Sequence, residues 1–208
     1  MTPFSLFAPA KVNLALHVLG RRADGYHDLD SIVAFADIGD TLTFESSPRF
    51  AIEATGLFAG ALPATGQNII AKAWRALGDL PPVRIGLEKN LPVAAGLGGG
   101  SANAAATLRG LVRLFDLRVP NLMDLAMTLG SDVPVCLASA TTRMQGAGER
   151  IMPLSGIGPF DAVLVNPQVQ VSTAEVFKTM TQAPAVPLDL AETGTSARRR
   201  RTLRCLRF

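Results

Sequence analysis

Three groups of residues have the types and spacing that chemistry needs. Lys11 and Asn13 stand two apart in PAKVNLALHVLG, where Val12, Leu14, Leu16 and Val18 fill the alternate positions. A β-strand points successive side chains to opposite faces, so the segment reads as a half-buried strand with an apolar inner face. Lys11 and Asn13 then share the other face with Ala15 and His17 and can reach one ligand, while His17, further along, reads as structural. The stretch runs on to Gly25-Tyr26-His27, where the chain's one tyrosine offers a ring for stacking. Residues 92–103, PVAAGLGGGSAN, place four glycines in five positions just ahead of a helix-forming run. Glycine lets backbone N–H groups approach closely, and a helix N-terminus presents unpaired N–H groups, so the pair suits an anion cradle. It suits a tight strand-to-helix turn equally well. Ser101 adds a hydroxyl that could meet a phosphate oxygen or a magnesium ion. Asp132, after Gly130-Ser131, is a carboxylate able to accept a hydroxyl proton, or a helix N-cap.

Two familiar nucleotide motifs are excluded. A Walker A loop needs Gly-Lys-Ser/Thr, and no lysine follows these glycines. A dinucleotide fingerprint needs an acid closing a second strand, whereas Asp116, twenty residues after Gly96, ends a helical stretch. Glu149, in Gly-Ala-Gly-Glu, could reach a metal or close a hairpin. Asn68 reads as a helix cap and Asn103 as an early helix residue. Cys136 and Cys205 have no metal-site spacing, and Cys136 reads as a small buried hydrophobe.

The elements that must position these residues follow from periodicity. After the first strand, 29–36 and 40–45 read as strands joined by a turn at Ile38-Gly39-Asp40, with another short strand at 50–53. Asn68 precedes a helix whose Ile69, Ile70, Ala73, Trp74 and Leu77 recur at helical spacing. A strand is expected at 83–88, a long helix after the glycine loop, and a second helix at 122–129 ended by Gly130. Residues 141–150 suggest strand and hairpin, 162–165 a strand, and Ser172 to Glu175 a capped helix start. Strands come first and helices later, without regular βαβ alternation, so the fold class is α+β.

Of 208 residues, 48% are hydrophobic and 18% charged, which fits one well-filled domain or a domain and a fraction. Arg198, Arg199, Arg200, Arg201, Arg204 and Arg207 account for the basic balance. Removing those six from the formal +3 leaves residues 1–197 at −3. A basic tail on a mildly acidic body is no nucleic-acid-binding surface, so no nucleic-acid partner is expected. No apolar run is long enough for a bilayer, and the N-terminus lacks the pattern of a secretory signal. No membrane partner and a cytoplasmic location are therefore expected.

APAKVNLALHVLGRRADGYHDLDSI, LPVAAGLGGGSANAAATL and LGSDVPVCL, in this order, resemble the best-marked segments of the 4-diphosphocytidyl-2-C-methyl-D-erythritol kinases, members of the GHMP kinase superfamily. The likeness runs from about Phe7 to Phe177. It implies a GHMP-kinase N-terminal domain, a mixed sheet packed with helices, over residues 1–158. It further implies the beginning of a C-terminal α+β domain over 159–183 and an atypical basic tail over 184–208. The implied activity is transfer of the γ-phosphate of ATP, with Mg²⁺, to the 2-hydroxyl of diphosphocytidyl-methylerythritol in non-mevalonate isoprenoid synthesis. The family's catalytic pair matches Lys11 and Asp132. Its phosphate loop matches Pro92, Val93, Ala94, Ala95, Gly96, Leu97, Gly98, Gly99, Gly100, Ser101 and Ala102. Asn68, Lys89 and Asn103 match positions around the adenine, and Asn13, Tyr26, His27, Thr173 and Phe177 match positions around the substrate.

The resemblance implies a longer chain. Members carry a second glycine-rich motif in their C-terminal domain, and no such segment occurs here. The stretch after Pro184 has no family likeness and no convincing period, so it reads as poorly ordered. Exposed apolar surface is expected where the rest of that domain would dock. Against the kinase stand a neighbouring GHMP kinase of another small alcohol, a remnant that only binds nucleotide, and an interaction protein using its arginine tail.

Overall fold

A computed structural model describes residues 2–166, 176, 177 and 185–190. Phe4–Arg21 (β1) and His27–Ser46 (β2) form a long antiparallel pair. Ala51–Thr55 (β3), Val83–Glu88 (β4), Thr142–Gly146 (β5) and Arg150–Pro153 (β6) complete a mixed six-stranded sheet in the order β3-β4-β2-β5-β6. A strand has two hydrogen-bonding edges. β2 gives one to β1 and divides the other between β5, at 29–33, and β4, at 41–46. Among the described residues only β3 and β4 pair in parallel.

Ile69–Ala76 (α1), Gly99–Leu114 (α2), Leu122–Leu129 (α3) and Val133–Ala138 (α4) gather around α2, which packs on β1 and β2. α2 sits close to the sheet because its facing residues are small: Ala102, Ala104, Ala105 and Ala106 are all buried. At Gly110 a Cβ would strike the Phe44 ring, so this helix position admits no side chain. Val33, Leu42, Phe44, Ile85 and Leu87 of the sheet meet Ile70, Leu108 and Leu111 of the helices in one core. The α+β class and a mixed sheet packed with helices are as expected.

Several local expectations are corrected. The chain does not turn at Ile38-Gly39-Asp40 but continues through it as part of β2. A Cβ on Gly39 would collide with the Ala8 carbonyl, so the glycine serves close strand approach there, not a turn. The β1–β2 register shifts between Pro9 and Lys11 and again between Asn13 and Ala15. Each shift flips the alternation. As a result Lys11 and Asn13 turn toward the helices, and Leu16, opposite Ser31, joins them; His17, opposite Asp30, faces away. The expected apolar inner face of Val12, Leu14, Leu16 and Val18 is only half-buried.

Residues 162–165 form no strand and are exposed, Val163 at 90% and Val165 at 88%. No neighbouring strand among the described residues supplies the backbone partners that an extended segment requires. Leu164 between them and Phe160 nearby are exposed as well. The expectation that everything past Pro184 is unordered fails for Ala185–Leu190, which packs against β1 and β5. The helix start expected at 172–175 lies outside the described residues. No helix among those described is long and apolar enough to cross a membrane.

Candidate active site

Lys11 is buried, and its ammonium reaches two partners: Asp132 Oδ2 at 2.9 Å and Asn13 Oδ1 at 2.7 Å. Asn13 Nδ2 donates to Ser31 Oγ at 2.7 Å, and that hydroxyl donates to the Ala15 carbonyl at 2.7 Å. The chain of bonds fixes the Asn13 amide with its oxygen toward the lysine. An ammonium has three protons, and two are spent here among the described residues.

Asp132 stands at the N-cap position of α4, yet its side chain makes no capping hydrogen bond. The capping reading of this residue is thereby set aside. Pro134 occupies the first turn, where a missing N–H costs nothing, so α4 can start without the cap. The carboxylate, one-third exposed, turns to Lys11 instead. Arg109 of α2 holds the far end of α4, donating to the carbonyls of Cys136 at 2.9 Å and Leu137 at 3.2 Å. Burial lowers the pKa of this guanidinium. The same burial, with the Asp132 charge adding to it, pushes the neighbouring Cys136 thiol up to about 12.

The glycine loop lies directly against this pair. Lys11 N–H donates to the Leu97 carbonyl at 2.8 Å, and a Cβ on Gly98 would come within 2.9 Å of Lys11 Cβ. Gly98 has φ +63 and caps α2 without a side chain; Ala94 and Gly96 share the left-handed region. α2 opens at Gly99, earlier than expected, so Gly99, Gly100 and Ser101 form its first turn. The first N–H groups of a helix have no partner within it and face outward as donors. A second cation flanks the loop: Lys89 Nζ lies 3.4 Å from where a Gly99 Cβ would sit. Lys89 is buried and held by Asp40 at 2.6 Å, and Asp40 also accepts from the N–H groups of Asn90 and Leu91. Asn68 does cap α1, accepting from Ile70 N–H at 2.9 Å. Asn103 is buried, and its Oδ1 has no partner among the described residues.

At the other end, Tyr26 is half-exposed, while His27 stacks on Phe177 with ring centroids 4.7 Å apart. The turn that presents them is fastened. Tyr26 N–H donates to Asp24, and Arg22 bridges Asp24 and Glu149. Burial disfavours the charged form of Glu149, but the Arg22 hydrogen bond and backbone N–H groups outweigh it and hold the carboxyl below its usual range. Glu149 thus closes the β5–β6 turn, through Ala147 N–H, and ties it to the Tyr26 loop. Thr173 lies outside the described residues. The sequence reading missed Ser31, Asp40 and Arg109, each of which fixes a site residue without belonging to a motif.

A family model for the GHMP kinases N terminal domain matches residues 68–140. The 4-diphosphocytidyl-2-C-methyl-D-erythritol kinase of Ruegeria pomeroyi is 50% identical over 183 residues, 88% of this chain and 65% of that one. The enzyme of the same name from Cereibacter sphaeroides is 46% identical over 193 residues, 91% of this chain and 69% of that one. A crystal structure of 4-(cytidine 5'-diphospho)-2C-methyl-D-erythritol kinase superposes with a TM-score of 0.61 at 40% identity, covering 73% of this chain and 55% of that one. The chain thus spans less than two thirds of the length of the Ruegeria relative and about half that of the solved structure. With the buried lysine, the uncapped aspartate and the glycine loop in contact, this similarity means that the chain belongs to the 4-diphosphocytidyl-2-C-methyl-D-erythritol kinase family of the GHMP kinases.

Proposed function

We propose that the chain is an ATP-dependent kinase that phosphorylates the 2-hydroxyl of 4-diphosphocytidyl-2-C-methyl-D-erythritol. The observation that carries this reading is Asp132, which forgoes its helix cap to pair with Lys11 beside the glycine loop. Asp132 accepts the proton of the attacking hydroxyl as its oxygen bonds to the γ-phosphorus and the bond from that phosphorus to the β–γ bridging oxygen breaks, releasing ADP. Lys11 offsets the charge that moves with the phosphoryl group. Backbone N–H groups of residues 92–102 and the first turn of α2 hold the phosphates. Asn68, Lys89 and Asn103 border the adenine, the unpartnered Asn103 oxygen being a free acceptor for it. Asn13 orients the acceptor alcohol, and Tyr26, His27, Phe177 and Thr173 take the cytidine end.

Magnesium bound with a nucleotide takes most of its ligands from phosphate oxygens and water, needing one or two protein groups. The Ser101 hydroxyl and the partly exposed Asp132 carboxylate fit that need, and the ion would neutralise charge across the phosphates. Among the described residues no group of three or more His, Cys, Asp or Glu gathers.

The test is ³¹P NMR of the 208-residue chain with ATP, Mg²⁺ and the diphosphocytidyl alcohol, run beside Asp132→Asn. A new phosphomonoester and ADP, both absent in the variant, are expected. Equal turnover in the two removes Asp132 as the base. No turnover in either, with ADP still bound, reduces the chain to a nucleotide-binding member of its family.

A further inference from the structure

Asp30 of β2 is fully buried, yet it does not face the helices. It pairs across the sheet with His17 on one side and Gln145 on the other, while its neighbour Ser31 and Met144 of β5 point into the core. Asp30 therefore lies on the opposite sheet face, and what touches it there is the segment Ala185–Leu190. Arg143, diagonal to Asp30 on β5, grips both carboxylate oxygens: Nε to Oδ1 at 2.8 Å and Nη2 to Oδ2 at 2.6 Å. Leu188 N–H donates to Oδ2 at 2.9 Å, and Arg143 Nη2 donates to the Leu188 carbonyl at 2.9 Å. Two side chains thus offer one residue of the segment the acceptor and donor that a neighbouring strand would offer. Further along, Ala185 N–H donates to the Val18 carbonyl at 2.9 Å, and His17 Nδ1 lies 2.7 Å from the Val186 carbonyl oxygen.

A bidentate guanidinium–carboxylate pair is strong and fixed in geometry. Its desolvation offsets much of its attraction, so its use lies in specifying an arrangement more than in raw stability. The arrangement it specifies reaches the substrate end. His27 and Asp30 are three residues apart on β2; one takes the ring of Phe177 and the other the backbone of Leu188. Phe177 and Leu188 are therefore each fastened near the start of the same strand. We infer that Asp30 and Arg143 are positioning residues: they clamp the backbone of Leu188 and thereby hold Phe177 over His27, which sets the affinity for the cytidine end of the substrate. Because the clamp reads N–H and C=O, it fixes the path of the segment and not its side chains. It lies on the sheet face away from Lys11 and the glycine loop, so nucleotide binding at the phosphate loop is independent of it.

This inference rests on the substrate reading proposed above, and the experiment separates the two. The full chain, Arg143→Met and Leu188→Pro are compared for amide exchange at Ala185 and Val186 by NMR, and for binding of CDP and ADP by calorimetry. Leu188→Pro removes the N–H donor, fixing φ at that residue as well, and leaves both partners of the ion pair in place, so it serves even where Arg143→Met does not fold. Both variants are expected to speed exchange at Ala185 at least tenfold and weaken CDP about tenfold, with ADP affinity unchanged. Faster exchange with CDP binding unchanged overturns the positioning role, as does a parallel loss of CDP and ADP. An unaltered chain that binds ADP but no CDP overturns the substrate reading, and the clamp's role with it.

Discussion

Replacing Asp40 by Asn keeps the shape of the side chain and removes its charge from a sealed site. Asp40 is 0% and Lys89 3% exposed, with Lys89 Nζ 2.6 Å from Oδ2 and the N–H groups of Asn90 and Leu91 at 2.7 and 2.8 Å from Oδ1. An amide has one oxygen. Turned to the backbone donors, it points its own NH₂ at the ammonium; turned to the ammonium, it abandons both backbone bonds. Either way Lys89 is left buried without a counter-charge, which costs about 3–5 kcal/mol. Against a typical total of about 5–15 kcal/mol this is a large share. At about 2–4 °C per kcal/mol for a chain of this size, the midpoint falls by about 6–20 °C. Trp74, the one tryptophan, stacks on Phe50 at 4.3 Å, so its fluorescence follows core unfolding. Asp40→Asn with Lys89→Met removes both charges and is expected to recover most of the loss, giving a strong coupling in the double-mutant cycle. The double variant also separates fold from ligand. If Lys89 serves the nucleotide, stability returns while ADP affinity does not. A loss below about 1 kcal/mol in Asp40→Asn, or additive single effects, would refute the account of a buried pair that anchors the loop.

Three further outcomes are expected. Gly98→Ala forces a side chain into φ +63 and into contact with Lys11 Cβ; the backbone alone costs about 1–2 kcal/mol. ADP affinity by calorimetry should fall more than the melting midpoint suggests, because the displaced lysine borders the loop. The Arg143 hydrogen bond holds the Asp30 carboxyl below its ordinary range. Its folded pKa therefore lies below its unfolded one, so its contribution is complete above about pH 4 and lost as pH falls through the folded value. The difference in urea midpoint between the unaltered chain and Asp30→Asn should accordingly hold from pH 7 to pH 5 and shrink below pH 4. Cys136, buried and pushed up to about 12, should resist iodoacetamide at pH 8 in a Cys205→Ser background until the protein unfolds; mass spectrometry reads this directly.

Local pattern carried much of the fold. Val83–Glu88 alternates with no bulge, and its strand is found where periodicity puts it. Leu122–Leu129 between Asn121 and Gly130 is equally plain. What failed was parity across irregular pairing. The register shift between Pro9 and Lys11 turns Lys11 inward, and no local signal announces a bulge, because it is set by the partner strand. Asp40 shows the same limit from another side. As part of Ile38-Gly39-Asp40 it has turn chemistry, but it also shares parity with Leu42 and Phe44, and that placed an acid on an apolar face. A buried acid is informative only when a cation is available, and Lys89 is 49 residues away in sequence. Arg109 and Arg143 escaped notice for a related reason. Each acts on backbone groups of a distant segment, which no residue spacing encodes.

The two ends of the candidate site rest on unequal foundations. Lys11, the glycine loop and Asp132 are carried by β1, α2 and α4, whose packing is the core itself, so they should be lost only with global unfolding. The Phe177 end hangs on a segment fastened by a stacked ring, the Asp30–Arg143 clamp and two contacts along β1. Such attachments open at lower free energy than core strands, since few buried apolar contacts break with them. In urea below the global midpoint, CDP binding should therefore disappear before ADP binding and before the Trp74 signal changes. Loss of all three at one concentration would mean that the segment is part of the cooperative unit, and that the clamp serves the fold as a whole.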